Sequence, residues 1–184
     1  MSDKPKVILG IDPGTLVMGY GIIEIHNKSP KMLSMGVVHL KKLGDMHKRL
    51  ARIHSRIEGL ITEFHPDEVS IEAQFFGKDV QAMLKLGRAQ GVAITPAVIR
   101  DIPVFEYAPR KIKVAVTGSG DASKEQVAMM LGKILKIDIQ DESLDATDGL
   151  AAALCHYYQS LLPGGEKSYS SWSEFIKKNP DRVI

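Results

Sequence analysis

The sequence predicts one α/β domain: a five-stranded mixed sheet flanked by helices. Three observations carry that prediction. Short apolar runs closed by charged or turn residues read as strands, and longer stretches with apolar residues at helical spacing read as helices. The two kinds follow one another as β-β-β-α-β-α-β-α-α-α, three consecutive antiparallel strands and then crossovers. The chain has 184 residues, against ~150 for a typical domain, so two full lobes are excluded.

The strands are expected at 6–12 (KVILGID), 18–26 (MGYGIIEIH), 32–40 (MLSMGVVHL), 67–72 (DEVSIE) and 103–107 (PVFEY), with a turn at NKSP, 27–30. In 45–64, Met46, Leu50, Ile53, Ile57, Leu60, Ile61 and Phe64 recur at helical spacing, and Pro66 ends the run. A long helix is expected over 79–100, with Gly87 and Gly91 allowing another element close and Pro96 kinking or ending it. Shorter helices follow at 109–116 and at 123–136, the latter opening with a Ser123/Gln126 capping box. A last helix covers 144–160. The domain is expected to span 1–162. Residues 163–184, rich in Ser, Gly and Lys, read as a tail, either flexible or docking through Trp172, Phe175 and Ile176.

Composition removes several function classes. One cysteine, Cys155, excludes an intrachain disulfide framework and a Cys-rich zinc site, and fits a reducing cytosol. No apolar run approaches the ~18 residues of a membrane helix, and the leading MSDKPKVILGID lacks a signal core. A cytoplasmic protein with no membrane partner is expected. Net charge is only +2, but its distribution is uneven. Lys41, Lys42, Lys48, Arg49, Arg52 and Arg56 stand against Asp45 alone. Arg110, Lys111, Lys113, Lys124, Lys133 and Lys136 stand against Asp121 and Glu125, and 138–148 carries five acids and no base. Such blocks read either as solvated helix faces or as a polyanion-facing surface beside an acidic pocket.

Four carboxylates fall where this layout would gather them. Asp12 closes the first strand before Pro13-Gly14, and Glu72 closes the fourth; if those strands are neighbours, both acids leave the sheet at the same end. Asp145 and Asp148, i and i+3 on the last helix, share a face otherwise lined by Ala and Leu. Each also has a plain structural reading: an Asx turn for Asp12, a strand-end surface acid for Glu72, a helix-start acid favoured by the dipole for Asp145. Gathered together, the four would repel and partly protonate unless cations bound them. An all-oxygen donor set suits Mg²⁺ or Mn²⁺ rather than zinc. Two such ions ~4 Å apart stabilise the attacking and leaving oxygens of phosphoryl displacement, which points to a two-metal nuclease provided the acids converge.

Four segments together resemble the RuvC family of crossover-junction (Holliday-junction) endonucleases: ILGIDPGTLVMGYGIIE, SIEAQFFGKDVQAMLKLGRAQGVA, VFEYAPRKIKVAVTGSGDASKEQV and DATDGLAAALCH. The resemblance runs from about residue 6 to 160. It implies a ribonuclease H-like fold, a homodimer, and paired Mg²⁺-dependent nicks in strands of like polarity of four-way junction DNA. It makes Asp12, Glu72, Asp145 and Asp148 the catalytic acids and the ligands of two Mg²⁺ per site, with Mn²⁺ able to substitute. Phe75 falls at the family's aromatic position near the junction centre, and Lys113 and Lys124 fall where the family has DNA-contacting lysines. Lys78 and Arg110, beside them, are further candidate DNA contacts. A branch-migration complex of the RuvA–RuvB type is the implied partner. Thr147 and Gly149 depart from the family's usual Ala at those places, and Gly149 is expected to loosen the helix slightly.

Physical reasons stand beside the carry-over. Lysines that are not metal ligands can hold a phosphate without reading bases, though both also read as helix-surface lysines. An exposed Phe75 could stack on an unpaired base at a branch, with Phe76 turned inward; the plain alternative puts both rings in the core. Gly118-Ser-Gly120-Asp-Ala-Ser-Lys124 lacks the ending of a phosphate loop, Gly19-Tyr-Gly21 lacks a third glycine, and Cys155-His156 reads as core or rim rather than a catalytic pair. Two rival functions remain. Gly-Ile-Asp-Pro-Gly-Thr also resembles the phosphate hairpin of sugar-kinase and chaperone-type ATPases, but 184 residues cannot supply their two lobes. A non-cutting nucleic-acid-binding module on the same fold has little use for clustered acids beside DNA.

Overall fold

A computed structural model describes residues 5–74, 79–139 and 143–162. Its elements are β1 (Lys6–Asp12), β2 (Val17–His26), β3 (Ser29–His39), α1 (Met46–Phe64), β4 (Glu68–Glu72), α2 (Val80–Ile99), β5 (Val104–Tyr107), α3 (Pro109–Thr117), α4 (Lys124–Leu135) and α5 (Leu144–Leu161), with one 3-10 turn at Lys41–Leu43. The sheet order is β3-β2-β1-β4-β5. β1 pairs antiparallel with β2, β2 antiparallel with β3, and β4 lies parallel between β1 and β5. This is the mixed five-stranded sheet expected from the sequence. No helix among the described residues is long and apolar enough to cross a membrane.

Strand alternation divides the core into two layers. Leu9 and Ile11 of β1, Met18 and Ile22 of β2, and Val69 and Ile71 of β4 pack with Ile53, Ile57 and Leu60 of α1 and Ala89 and Ala93 of α2. Ile8 and Ile23 face the other way, onto Leu131 of α4, Ile112 of α3 and the 150–155 stretch of α5.

One local expectation is corrected and another narrowed. The β2–β3 turn is only Asn27-Lys28, both in the left-handed region (φ 49° and 62°), so Ser29 and Pro30 already belong to β3. Pro30 is tolerated because β3 is an edge strand, where a missing N–H breaks no ladder. Pro96 neither ends α2 nor stops it short of Ile99. Among the described residues nothing lies within 4 Å of a Cβ built on Gly87 or Gly91, so that side of α2 is open, while Ala89, Ala93 and Ala97 face the core.

Gly149 has a role that helix propensity does not reveal. A Cβ there would lie 2.5 Å from the Tyr20 Cα, and a Cβ on Gly19 would lie 1.9 Å from the Asp145 carbonyl oxygen. The first turns of α5 therefore rest directly on the β2 backbone, and this close seating delivers Asp145 and Asp148 to the end of β1.

Candidate active site

β1 and β4 are parallel neighbours with Ile11 opposite Ile71, so Asp12 and Glu72 leave the sheet side by side. Both point to the face covered by α5, because Ile11 and Ile71 point to the other. Three polar residues of β4 share that face with period two: Glu68, Ser70 and Glu72. Each meets α5 at an interval of four. A Glu68 carboxylate oxygen lies 2.5 Å from His156 Nε2, and Ser70 Oγ donates to the Ala152 carbonyl at 2.8 Å. The next step brings Glu72 into the field of Asp148. The match is geometric, since two strand residues advance ~6.6 Å and four helix residues ~6 Å.

The first two rungs attract and the third repels. Burial and then the Asp148 charge push Glu72 up to about 7, although Lys124 and Lys113 pull it down. Burial, then Glu72 and Asp148, push Asp12 up to about 8, with Lys124 opposing and Asp145 adding to the rise. The four acids thus converge on one place and are short of positive charge there. Among the described residues no three His, Cys, Asp or Glu side chains are grouped closely enough to hold a metal ion as they stand. Lys124 fills the gap: its Nζ donates to Asp145 Oδ1 at 3.1 Å and to Asp148 Oδ2 at 2.5 Å. Partial burial pulls that ammonium down, but the bonds from Asp148 and Asp145 outweigh it and hold it above its ordinary range. Lys124 gets there because Ser123 caps α4 with the expected capping box, fixing Lys124 as the first helical residue.

The donor set fits hard divalent cations. Asp12, Glu72, Asp145 and Asp148 offer oxygen only, two of them are destabilised as anions, and a side-chain cation already sits against the other two. The site is open: Asp145 keeps 42% of its side-chain surface and Lys124 49%. A cavity of about 410 Å³ near Thr117, Asp121 and Met130 contains none of the four acids. The arrangement suits a large anionic polymer laid across a surface better than a small molecule enclosed in a pocket.

The other sequence candidates divide. Lys113, half-buried on α3, lies in the electrostatic reach of Glu72. Arg110 is exposed at the start of α3, its stem over Gly120, where a Cβ would lie 2.5 Å from Arg110 Cγ. Phe75, Phe76 and Lys78, and the tail 163–184, lie outside the described residues.

Sequence reasoning missed the support beneath the site. His156 is buried, stacks on Phe105 at 4.2 Å, and bonds through Nδ1 with the Tyr107 hydroxyl at 2.7 Å. Lys6 Nζ approaches Glu68 at 2.6 Å. Partial burial alone would raise Glu68, but the bonds from His156 and Lys6 win and hold it below its ordinary range. The signal was present in Glu68-Val-Ser-Ile-Glu72, a buried strand with a polar residue at every second place. Cys155 is buried, its thiol pushed up to about 12 by burial, and is no nucleophile.

Residues 8–156 match the family model described as "Crossover junction endodeoxyribonuclease RuvC". The chain is 56% identical over 182 residues to the crossover junction endodeoxyribonuclease RuvC of Bacteroides fragilis, covering 98% of this chain and 97% of that one. It is 53% identical over 188 residues to the protein of the same name from Porphyromonas gingivalis, with 100% of both covered. Among solved structures, Thermus thermophilus RuvC superposes with a TM-score of 0.75 at 33% identity, over 84% of this chain and 96% of that one. The same protein in complex with Holliday junction substrate gives 0.74 at 30% identity, over 85% and 96%.

Proposed function

The chain belongs to the RuvC family of crossover junction endodeoxyribonucleases, and from that premise we propose that it resolves four-way DNA junctions by paired, metal-dependent nicks in two strands of like polarity. The observation that carries the reading is the convergence of Asp12, Glu72, Asp145 and Asp148 at the end of β1, with Asp12 and Glu72 held far above their ordinary range.

Those four carboxylates would hold two Mg²⁺ ions, or Mn²⁺ in their place. Ions so held supply charge stabilisation for the attacking and leaving oxygens of in-line phosphodiester hydrolysis. The chain's own residues do the rest. Asp12 and Glu72 give up the protons that crowding makes them keep. Lys124, bonded to Asp145 and Asp148 in the protein alone, is freed to meet a phosphate when other cations take those carboxylates. Lys113, one helix away, adds a second phosphate contact, and Arg110 a third further out. Phe75 and Lys78 follow Glu72 closely in sequence; Phe75 would meet the unpaired centre of the junction, and Lys78 would contact the DNA. Phe75→Ala should slow nicking and leave the melting temperature unchanged, whereas a core phenylalanine would lose ~3–5 kcal/mol of stability.

Two symmetric cuts need two sites related by a two-fold axis. α2 offers the face for a second copy. Val80 and Leu84 are exposed, and Gly87 and Gly91 continue the same stripe with open space before them. A branch-migration complex would load the dimer, and the work belongs in the cytoplasm. The testing experiment is nicking of a synthetic four-way junction with and without Mg²⁺, beside the single Asn or Gln variants of the four acids.

A further inference from the structure

α1 is charged against its own dipole. Lys48, Arg49, Arg52 and Arg56 fall in its first three turns, its first turn carries no acid, and its own acids, Glu58 and Glu63, come later. Cations near a helix start are unfavourable, and Lys48 with Arg52, four apart, repel each other. Lys41 and Lys42 extend the charge through the preceding 3-10 turn.

The six cations are used differently. Arg49 turns inward, donating from Nη1 to the Thr15 carbonyl and from Nη2 to the Gly44 carbonyl, each at 3.1 Å. Arg56 bonds the Tyr20 hydroxyl at 2.5 Å and lies over its ring. Lys41, Lys42, Lys48 and Arg52 are exposed, and their side chains have no hydrogen-bond or ion-pair partner among the described residues. The acids that could neutralise them are engaged. Asp45 caps the helix and faces His47, and Glu58 is held by Arg100.

The four free cations start at the acid end of the sheet. Leu40 and Lys41 donate their N–H groups to the Leu16 carbonyl at 2.8 and 3.1 Å, and Arg49 reaches Thr15. Thr15 follows Asp12 by three residues, a span of at most ~11 Å. The four catalytic acids stand on the α5 face, whereas α1 lies on the other, so these cations border the site without entering it.

We propose that Lys41, Lys42, Lys48 and Arg52 form a phosphate track for a duplex arm of the junction as it leaves the acid site. The proposal rests on the junction-cutting reading above. A duplex presents one charge per ~1.7 Å of its axis, so an arm lying along α1 meets phosphates at each cation. The track sets affinity and arm path, and leaves the chemical step alone.

The test is a Lys48→Gln/Arg52→Gln double variant of the full chain, titrated with a four-way junction in Ca²⁺ over a range of NaCl. Two lost phosphate contacts should reduce the slope of log K against log salt by ~1.8 and weaken binding roughly tenfold or more at 0.1 M salt. The melting temperature should hold or rise, since repulsion is relieved. The maximal nicking rate at saturating junction in Mg²⁺ should not change. Lys48→Arg/Arg52→Lys should restore the slope, and Lys31→Gln, on the far part of β3, should not lower it comparably. An unchanged slope in a folded double variant, or an equal loss in Lys31→Gln, overturns the track. Wild-type protein that neither binds nor nicks the junction removes the functional reading itself, whereas wild-type nicking with an unchanged slope in the variant removes the track alone.

Discussion

The Lys124 ammonium stands 2.5 Å from the Asp148 carboxylate, and the same nitrogen bonds Asp145 at 3.1 Å. One side-chain cation thus offsets part of the charge of the two helix acids, while burial and crowding hold Asp12 and Glu72 well above the ordinary carboxylate range. Lys124 is a counter-ion in the protein alone and a competitor for any cation arriving from solution.

Lys124→Gln should therefore have opposite effects on two measurements. Without divalent cations the four acids lose their bonded counter-charge, and the melting temperature should fall by a few degrees. Ca²⁺ titrated calorimetrically should bind more tightly, because no ammonium has to leave. Weaker Ca²⁺ binding would show that Lys124 orders the carboxylates for the ion instead of competing with it.

Stability without metal should fall as pH rises. Asp12 ordinarily ionises near 3.8 and Glu72 near 4.5, and the fold raises them to about 8 and about 7. The folded protein thus holds protons that the unfolded chain has lost, so destabilisation accumulates between about pH 4 and 8 and is complete above. Melting curves in EDTA should fall across that window. Asp12→Asn should flatten the fall and raise the melting temperature at pH 8. A melting temperature that climbs over the same window would contradict the crowding of the acids.

Gly149→Ala decides between two opposed effects. Helix propensity would gain ~1 kcal/mol. Against that, the added Cβ meets the Tyr20 Cα at 2.5 Å, a contact with backbone that cannot swing aside. Overpacking of this kind costs ~1–3 kcal/mol, so a net loss is expected in denaturant unfolding. A gain would mean that α5 lifts easily from β2.

The polar seam between β4 and α5 should be worth more than its exposure suggests. Glu68→Gln leaves His156 facing a weaker partner, and His156→Ala removes one hydrogen-bond partner from each of Glu68 and Tyr107; a loss of ~1–3 kcal/mol is expected for each. The two changes should combine non-additively in a double-mutant cycle. Additive losses would show that the two residues do not act as a pair.

Much of this was legible before any coordinates. Asp12 and Glu72 could be placed because an acid closing an apolar strand has one exit, and Ser123 with Gln126 marks a helix start by its own hydrogen bonds. What escaped notice depends on distant partners. Pro96 read as either a kink or an end because propensity ignores the packing of Ala89, Ala93 and Ala97, which carries α2 past it to Ile99. Gly149 looked like a flaw because the β2 backbone beneath it is more than a hundred residues away in sequence. Glu68 and His156 are 88 residues apart, and neither is unusual until the sheet brings them together.

In the function proposed for this chain, the four converged acids cut junction DNA with divalent ions. Its most direct test is a time course of nicking on a synthetic four-way junction, with cut positions mapped, for the wild-type chain and for Asp12→Asn, Glu72→Gln, Asp145→Asn and Asp148→Asn. In Mg²⁺ the wild type should give symmetric nicks in two strands of like polarity. Each variant should cut at least ~100-fold more slowly, since each removes several kcal/mol of charge stabilisation, while binding the junction as well as the wild type or better. Nicking that persists in EDTA, or full-rate cutting by any one of the four variants, would rule out cutting by divalent ions held on these four acids.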